Sequence, residues 1–155
     1  MEIQDLAEYI LVKTRKMHES INNTQLNCLL FLIEAHNELE KGTKLFPDLT
    51  KNGEYPCYPT IYWKYKESGI LPIKAPDKSI EDFMPIFSKE NMEIADMIIQ
   101  KNINLELWKL YEVCKEKKLE LHFKKSREKS IAIRETLKKG KQAKENKAMK
   151  ETSAV

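Results

Sequence analysis

Residues 23–42, NTQLNCLLFLIEAHNELEKG, decide the fold of this chain. Apolar side chains recur along this stretch at helical spacing, and in its middle they occupy nearly all sides of the helix. That pattern is typical of a helix that is buried on every face. Asn23 is the predicted N-cap, and Gly42 is predicted to end the helix in a left-handed conformation. We therefore expect one central helix that the rest of the domain covers.

Shorter patterns on both sides of this stretch predict further helices. Residues 3–13 form an amphipathic repeat, and Pro59 is suited to the first turn of a third helix. Ser88 and Asn104 are predicted to cap a fourth and a fifth helix. Only four glycines occur in 155 residues, fewer than the turns of a strand-rich fold normally need. The predicted fold is mainly α, a compact helical domain of about five helices.

A small β element is also expected. Residues 45–46 and 55–58 are short extended pieces that can pair as a hairpin, across a connection rich in turn residues. Residues 70–73 predict an edge strand, because Pro72 cannot donate a hydrogen bond to a ladder. Residues 119–123 alternate like a further brief strand.

Charge divides the chain unevenly. Residues 115–155 contain 14 Lys and Arg against 6 Asp and Glu, whereas residues 1–114 contain 13 against 18. We expect a helical domain at residues 1–123 and a basic, partly disordered tail at residues 124–155, where little apolar surface can be buried. Such a tail indicates either a solvated terminus or contact with a polyanion. The candidate nucleic-acid-binding residues are Lys124, Lys125, Arg127, Lys129 and Arg134.

Several classes of protein are not indicated by the sequence. The longest apolar run, residues 28–33, is too short to span a bilayer, and the N-terminus lacks the features of a signal peptide. Three widely spaced cysteines predict neither a disulfide framework nor a zinc site. We expect a cytoplasmic protein that has no membrane partner.

The side chains that perform chemistry show no familiar arrangement. The three histidines are far apart in sequence, without the local pairs typical of metal ligands. Cys57 is the most plausible reactive thiol, but no neighbouring motif supplies a base. A glycine-rich phosphate loop is also missing from the sequence. We therefore expect no catalytic residue, metal site, cofactor or small-molecule substrate, and a protein that is not an enzyme.

An aromatic group follows the predicted connection. Ile61, Tyr62 and Tyr65 are expected to share the face of the third helix that covers the central helix, which leaves Trp63 as the more exposed ring. Exposed Trp and Tyr beside prolines are favoured anchors in protein interfaces. The alternative is that all the rings brace the connection onto the central helix. The candidate protein-binding residues are Tyr55, Tyr58, Trp63 and Lys66.

Five short motifs follow one another along the first half of the chain. They are AEYI at 7–10, INNTQLNCLLF at 21–31, GTKLF at 42–46, YPCY at 55–58 and PTIYWKYK at 59–66. In their order and spacing, over about residues 5–73, they resemble the Panacea domain, a family associated with phages and mobile elements. The chain is identified as a divergent member. It has Pro56 and Cys57 where the family usually has Gly-Pro after the loop tyrosine.

The resemblance implies a compact helical fold with a small β element and a function without catalysis. Members of the family look like antitoxins that bind and neutralise unrelated toxin proteins, and at least some act as adaptors for proteolysis. The expected function is therefore that of a protein-binding antitoxin or regulator from a phage or mobile element, with a toxin or host factor as partner. The alternative is a nucleic-acid-binding accessory protein that uses the basic tail.

Overall fold

The computed structural model describes residues 1–46 and 55–153. The described residues contain five α-helices and two short 3-10 helices. The α-helices are α1 (Ile3–Lys16), α2 (Asn23–Lys41), α3 (Pro59–Lys64), α4 (Lys89–Asn102) and α5 (Leu107–Ser153), and the 3-10 helices are Lys66–Ser68 and Ile80–Phe83. The predicted mainly helical fold is confirmed.

The chain divides into two compact units, Met1–Lys118 and Leu119–Val155. The first unit contains α1 to α4 and the beginning of α5, and the second contains the later residues of α5. The expected division after residue 123 therefore falls inside the second unit. The two units are described separately below.

Helix α2 packs against α1, α3 and α4 in the first unit. Its buried side chains are distributed around the whole helix, as its sequence predicts. They include Leu26, Asn27, Cys28, Leu29, Leu30, Phe31, Leu32, Ile33, Glu34 and Ala35. Ten consecutive buried residues leave no face of this part of the helix in contact with solvent.

Residues at the two ends of α2 cap the helix. The Asn22 side chain accepts a hydrogen bond of 2.9 Å from the Gln25 amide, and the Gln25 side chain accepts one of 2.8 Å from the Asn22 amide. This reciprocal pair is a capping box. The N-cap is thus Asn22 rather than the expected Asn23, which is already helical. Gly42 follows with φ 74°, the predicted left-handed end.

Aromatic side chains fasten α1 to the chain around α4. The Tyr9 ring is 1% exposed and its centroid lies 5.5 Å from that of Phe83 and 5.6 Å from that of Phe87. Its hydroxyl donates a hydrogen bond to the Asp96 carboxylate on α4. Burial, together with this carboxylate, raises the pKa of Tyr9, so the hydroxyl remains a donor over the physiological range.

A buried carboxylate organises the side of α2 that faces α3. Glu34 is 5% exposed and accepts hydrogen bonds from the Phe46 amide, at 3.0 Å, and from the Tyr58 hydroxyl. Burial and the Glu34 charge both raise the pKa of Tyr58, which keeps the phenol protonated. Asn27 also accepts a hydrogen bond of 2.8 Å from the Tyr58 amide. Helix α2 therefore holds the chain on both sides of residues 47–54.

Residues 1–46 and 55–153 contain no β-strand, and of the expected β element they show a single β-bridge residue, Cys57. The turn of the predicted hairpin lies outside the described residues. Residues 70–73 form a turn and a loop instead of an edge strand, because Gly69 reverses the chain at φ 59°. Residues 119–123 are helical. They lie within a run of Lys, Glu and Leu, whose helix propensity outweighs the short alternation of apolar residues.

Helix α5 extends into the expected basic tail. Residues beyond Gly140 continue α5 as far as Ser153. They consist largely of Lys, Glu, Ala and Gln, which are strong helix formers. The side chains of residues 141–147 are nevertheless exposed, so helix formation there buries little apolar surface.

Removing residues 141–155 should leave the thermal unfolding midpoint of the first unit unchanged within error. The side chains of residues 141–147 are exposed and contribute no core contacts. The measurement is the fluorescence of Trp63 and Trp108, both of which lie in the first unit. A midpoint lowered by several degrees would show that these residues stabilise the first unit.

Tyr58→Phe should lower the free energy of unfolding by about 1–3 kcal/mol, because it leaves a buried carboxylate oxygen of Glu34 without its donor. Tyr62→Phe is the matched control, since the Tyr62 side chain is 41% exposed. It should change stability by less than about 0.5 kcal/mol. Urea denaturation of both variants measures the difference, and equal losses would contradict the role given to the Tyr58 hydroxyl.

Candidate protein-binding surface

The exposed side of α3 brings together a tryptophan, a tyrosine and a lysine. Trp63 is 64% exposed, and the Lys66 ammonium nitrogen lies 4.2 Å from the centroid of its indole ring. The Tyr62 ring meets Trp63 edge-on, with centroids 6.0 Å apart and an interplanar angle of 82°. Two aliphatic residues shortly after α3 are also exposed, Ile70 by 88% and Leu71 by 66%. We call Tyr62, Trp63, Lys66, Ile70 and Leu71 the α3 surface.

The first turn of α3 is fixed to α2. Pro59 occupies the first helical position, where its missing N–H has no intrahelical partner to lose. Ile61 is fully buried. The Asn23 side chain donates a hydrogen bond of 3.0 Å to the Tyr62 carbonyl oxygen, and the Tyr58 amide is bonded to Asn27. These contacts set the orientation from which Trp63 projects.

The chain after α3 is fixed to other elements. The Tyr65 hydroxyl accepts a hydrogen bond of 3.0 Å from the Gln4 side chain on α1. The Ile73 amide donates one of 2.9 Å to the Ile21 carbonyl oxygen, just before α2. Hydrogen bonds thus fix the chain both at the start of α3 and after the α3 surface. Little backbone freedom is left to be lost on binding, which favours affinity.

Two of the four predicted protein-binding residues belong to this surface, Trp63 and Lys66. Tyr58 does not, because its ring is 1% exposed and its hydroxyl is bonded to Glu34. Tyr55 is half-buried, with its ring edge-on to Tyr111 at a centroid distance of 5.1 Å. Tyr58 braces the chain against α2, and Tyr55 braces it against α5. The alternative interpretation expected this role for every ring of the aromatic group, and it holds for these two.

The expected burial of Tyr62 is wrong. Its side chain is 41% exposed, whereas Ile61 is fully buried and Tyr65 is half-buried. Ile61 and Tyr65 lie about 40° apart around the helix, whereas Tyr62 lies about 100° from Ile61. Helix α3 is six residues long, and Ile61 is its one fully buried side chain. Tyr62 therefore lies at the edge of the buried face of α3.

Sequence reasoning missed Ile70 and Leu71 as surface residues because it assigned them to a strand. The run is bounded by Gly69 and Pro72, and the structure turns it away from the core. An apolar pair confined between a glycine and a proline is too short for a stable strand, and that signal was present in the sequence.

The five basic residues predicted to bind nucleic acid all lie on α5 in the second unit. Successive residues of a helix are rotated by about 100°, so Arg127 and Arg134 project about 20° apart. Lys129 lies about 160° from Arg127. The Lys124 ammonium is 3.9 Å from the Glu128 carboxylate, one turn further on. The five cations therefore surround the helix and do not form one stripe.

A group of basic side chains lines a shallow groove between α1 and the 3-10 helix Ile80–Phe83, and it includes Arg15, Lys16, His18 and Lys78. Structural bonds already engage two of them. The Arg15 guanidinium donates to the carbonyl oxygens of Pro76 and Lys78, at 2.8 and 2.6 Å. Lys78 pairs with the Glu8 carboxylate at 2.6 Å, which raises the pKa of Lys78. This groove mainly fastens the loop to α1.

His36 and Cys57 are the side chains for which we expect no catalytic role. His36 lies 3.1 Å from the Glu40 carboxylate, one turn along α2, and Cys57 is half-buried. Within residues 1–46 and 55–153, no group of three or more His, Cys, Asp and Glu side chains is arranged to hold a metal ion. Among the helices described, none combines the length and the apolar character needed to cross a membrane.

Comparison of the chain with protein-family models, curated proteins and solved structures found no match. The resemblance to the Panacea domain remains an expectation from the five motifs quoted above. One of these motifs, PTIYWKYK at 59–66, contains α3 and most of the α3 surface.

Proposed function

We propose that this protein is a non-enzymatic binding module that neutralises or regulates a partner protein by direct contact through the α3 surface. The observation that carries the proposal is the exposure of Trp63. Its large ring is 64% exposed, on a helix that hydrogen bonds from Asn23 and Gln4 fix to α2 and α1. Tryptophan is among the residues most enriched at the energetic centres of protein interfaces.

The chemistry of the α3 surface suits a protein partner. Trp63, Ile70 and Leu71 offer apolar area that is released from water when a partner covers it. Lys66 lies over the indole ring and can also pair with a carboxylate of the partner. An apolar centre with a charged neighbour matches the core and rim of a typical interface.

The class of partner is proposed from the motif resemblance. Most of the α3 surface lies in the motif at 59–66, and members of the family that the five motifs resemble look like antitoxins whose targets are unrelated toxin proteins. We therefore propose a toxin or host factor that meets this protein in the cytoplasm. Helix α3 carries both one of the five motifs and the exposed ring.

Trp63→Ala should weaken binding to the partner by about 2 kcal/mol, equivalent to about a 30-fold higher Kd, while stability changes much less. Trp108→Ala is the matched control, because Trp108 is 62% exposed in the same unit but lies outside the α3 surface. It should leave the Kd within about twofold of the wild-type value. Calorimetric titration with the purified partner, beside urea denaturation of each variant, makes both measurements.

The partner can be tested genetically before it is purified. A toxic protein encoded beside this chain should lose its toxicity when the two are produced together. Trp63→Ala should restore toxicity and Trp108→Ala should not, at equal soluble levels of both variants. Neutralisation that survives Trp63→Ala would place the contact elsewhere and overturn the assignment of the α3 surface.

A second candidate function is nucleic-acid binding by α5. The observation that favours it is the basic character of the second unit, in which residues 119–155 contain 11 Lys and Arg against 5 Glu. Its affinity for a random DNA duplex should fall steeply as salt rises, because bound counterions are released. Filter binding between 50 and 200 mM salt measures the slope, and no binding at low salt would remove this candidate.

A further inference from the structure

The second unit exposes a row of apolar and small side chains along α5. The exposed fractions of its large members are 50% for Leu119, 60% for Phe123, 53% for Ile133 and 67% for Leu137. The serines at positions 126 and 130 complete the row. Together these six residues are called the α5 stripe: Leu119, Phe123, Ser126, Ser130, Ile133 and Leu137.

The spacing of the α5 stripe is that of a coiled-coil seam. Successive members are separated by 4, 3, 4, 3 and 4 residues, which is the alternation of the a and d positions of a heptad. At a rise of about 1.5 Å per residue the stripe is about 27 Å long. A row of this length and spacing fits a second helix that lies along it, with its side chains inserted between those of α5.

Both flanks of the α5 stripe are basic. The d residues of the stripe are Leu119, Ser126 and Ile133. The positions that follow d positions form one flank and include Arg127, Arg134 and Lys141, and Lys129 lies on the other flank. These are the e and g positions, whose charges select the partner of a coiled coil. Glu120 is the one acidic residue at these flanking positions.

Two acidic residues of the second unit lie on the side of α5 opposite the α5 stripe. At about 100° per residue, Glu128 and Glu135 project about 160–180° from Leu137. The Lys124 ammonium lies near Glu128 on that side, at 3.9 Å. Lysines at the b and c positions share that side, so its charges are mixed, whereas the e and g positions beside the apolar row carry four cations and one carboxylate.

We infer that the α5 stripe is a docking surface for an acidic amphipathic helix of another protein. Such a helix covers the apolar row with its own a and d residues, and its flanking carboxylates pair with Arg127, Arg134 and Lys129. This inference does not depend on the α3 surface, since the two surfaces lie in different units.

A second copy of this chain fits the stripe less well. In a parallel pair, a g position faces the e position of the next heptad, which sets Lys129 opposite Arg134 of the second copy. In an antiparallel pair centred on the stripe, Lys129 faces Lys129 and Arg127 faces Arg127, whereas Glu120 of each copy faces Arg134 of the other. The parallel pair therefore places like charges beside the seam, and in the antiparallel pair two like-charge contacts offset two opposite-charge contacts. An acidic helix instead places a carboxylate beside each of these cations.

A lipid surface also fits less well. Ser126 and Ser130 occupy the middle of the stripe and would bring hydroxyl groups into the acyl region without gaining apolar burial. Against a helix, the same small residues leave room for large side chains of the partner. The serines thus favour a protein helix over a membrane.

The probe is a labelled 28-residue peptide with Leu at its a and d positions and Glu at its e and g positions, titrated into the full-length protein at 0.15 M salt. Ile133→Ser should raise the Kd about tenfold or more, because a buried aliphatic contact is lost. Ile131→Ser is matched in residue type and in exposure, 53% at both positions, but lies off the stripe. It should leave the Kd within about twofold of the wild-type value.

Charge is tested in the same assay. Arg134→Glu should weaken binding of the acidic peptide, and Lys139→Glu, on the opposite side of α5, should not. A peptide with Lys at its e and g positions should bind much more weakly than the acidic one. Trp63→Ala should have no effect, so a failure here is distinguishable from a failure of the α3 surface.

Three results would overturn the inference. One is an equal loss of peptide binding in Ile131→Ser and Ile133→Ser. A second is binding of phosphatidylserine vesicles or random duplex by a chain that does not bind the acidic peptide. The third is self-association, measured by sedimentation, that Ile133→Ser abolishes, since the occupant would then be a second copy.

Discussion

The burial of Glu34 in the middle of α2 constrains how the chain around it is arranged. A carboxylate that is 5% exposed costs several kcal/mol unless hydrogen bonds replace its water. Its two donors are the Phe46 amide and the Tyr58 hydroxyl, which lie on opposite sides of residues 47–54. An apolar residue at position 34 would contribute to the core without requiring the chain to return to this point of α2. Because the buried Glu34 carboxylate needs both donors, Phe46 and Tyr58 are held at this point of α2.

The position of Tyr58 in turn determines how α3 presents its exposed ring. Tyr58 is the N-cap residue of α3, and its amide is bonded to Asn27. Once this residue is fixed, the helical rotation of about 100° per residue determines which later side chains face α2. Ile61 turns inward and Trp63 turns to solvent. A polar network inside the core therefore sets the direction of an apolar side chain on the surface.

The parts of the fold that the sequence predicts well are those determined by neighbouring residues. The left-handed Gly42 and the proline that begins α3 both depend on local chemistry. The exposure of Tyr62 was mispredicted because it depends on where α3 meets α2. The strand expected at residues 70–73 has no partner strand within residues 1–46 and 55–153. The exposed position of Trp63 could be predicted because it needed only the helical rotation from Ile61.

The two surfaces differ in what binding to each requires. The Asn23 side chain holds the Tyr62 carbonyl oxygen of α3, and the Gln4 side chain holds the Tyr65 hydroxyl just after it, so the proposed contact there would cost little chain entropy. The α5 stripe has apolar residues only at its two ends, with serines between them and cations on its flanks. Salt is therefore expected to weaken the proposed contact at the α5 stripe more than the proposed contact at the α3 surface, where apolar burial is supplemented by one cation, Lys66. The two proposed surfaces thus differ in chemistry, because one is mainly apolar on a fixed backbone and the other is flanked by charges along a helix.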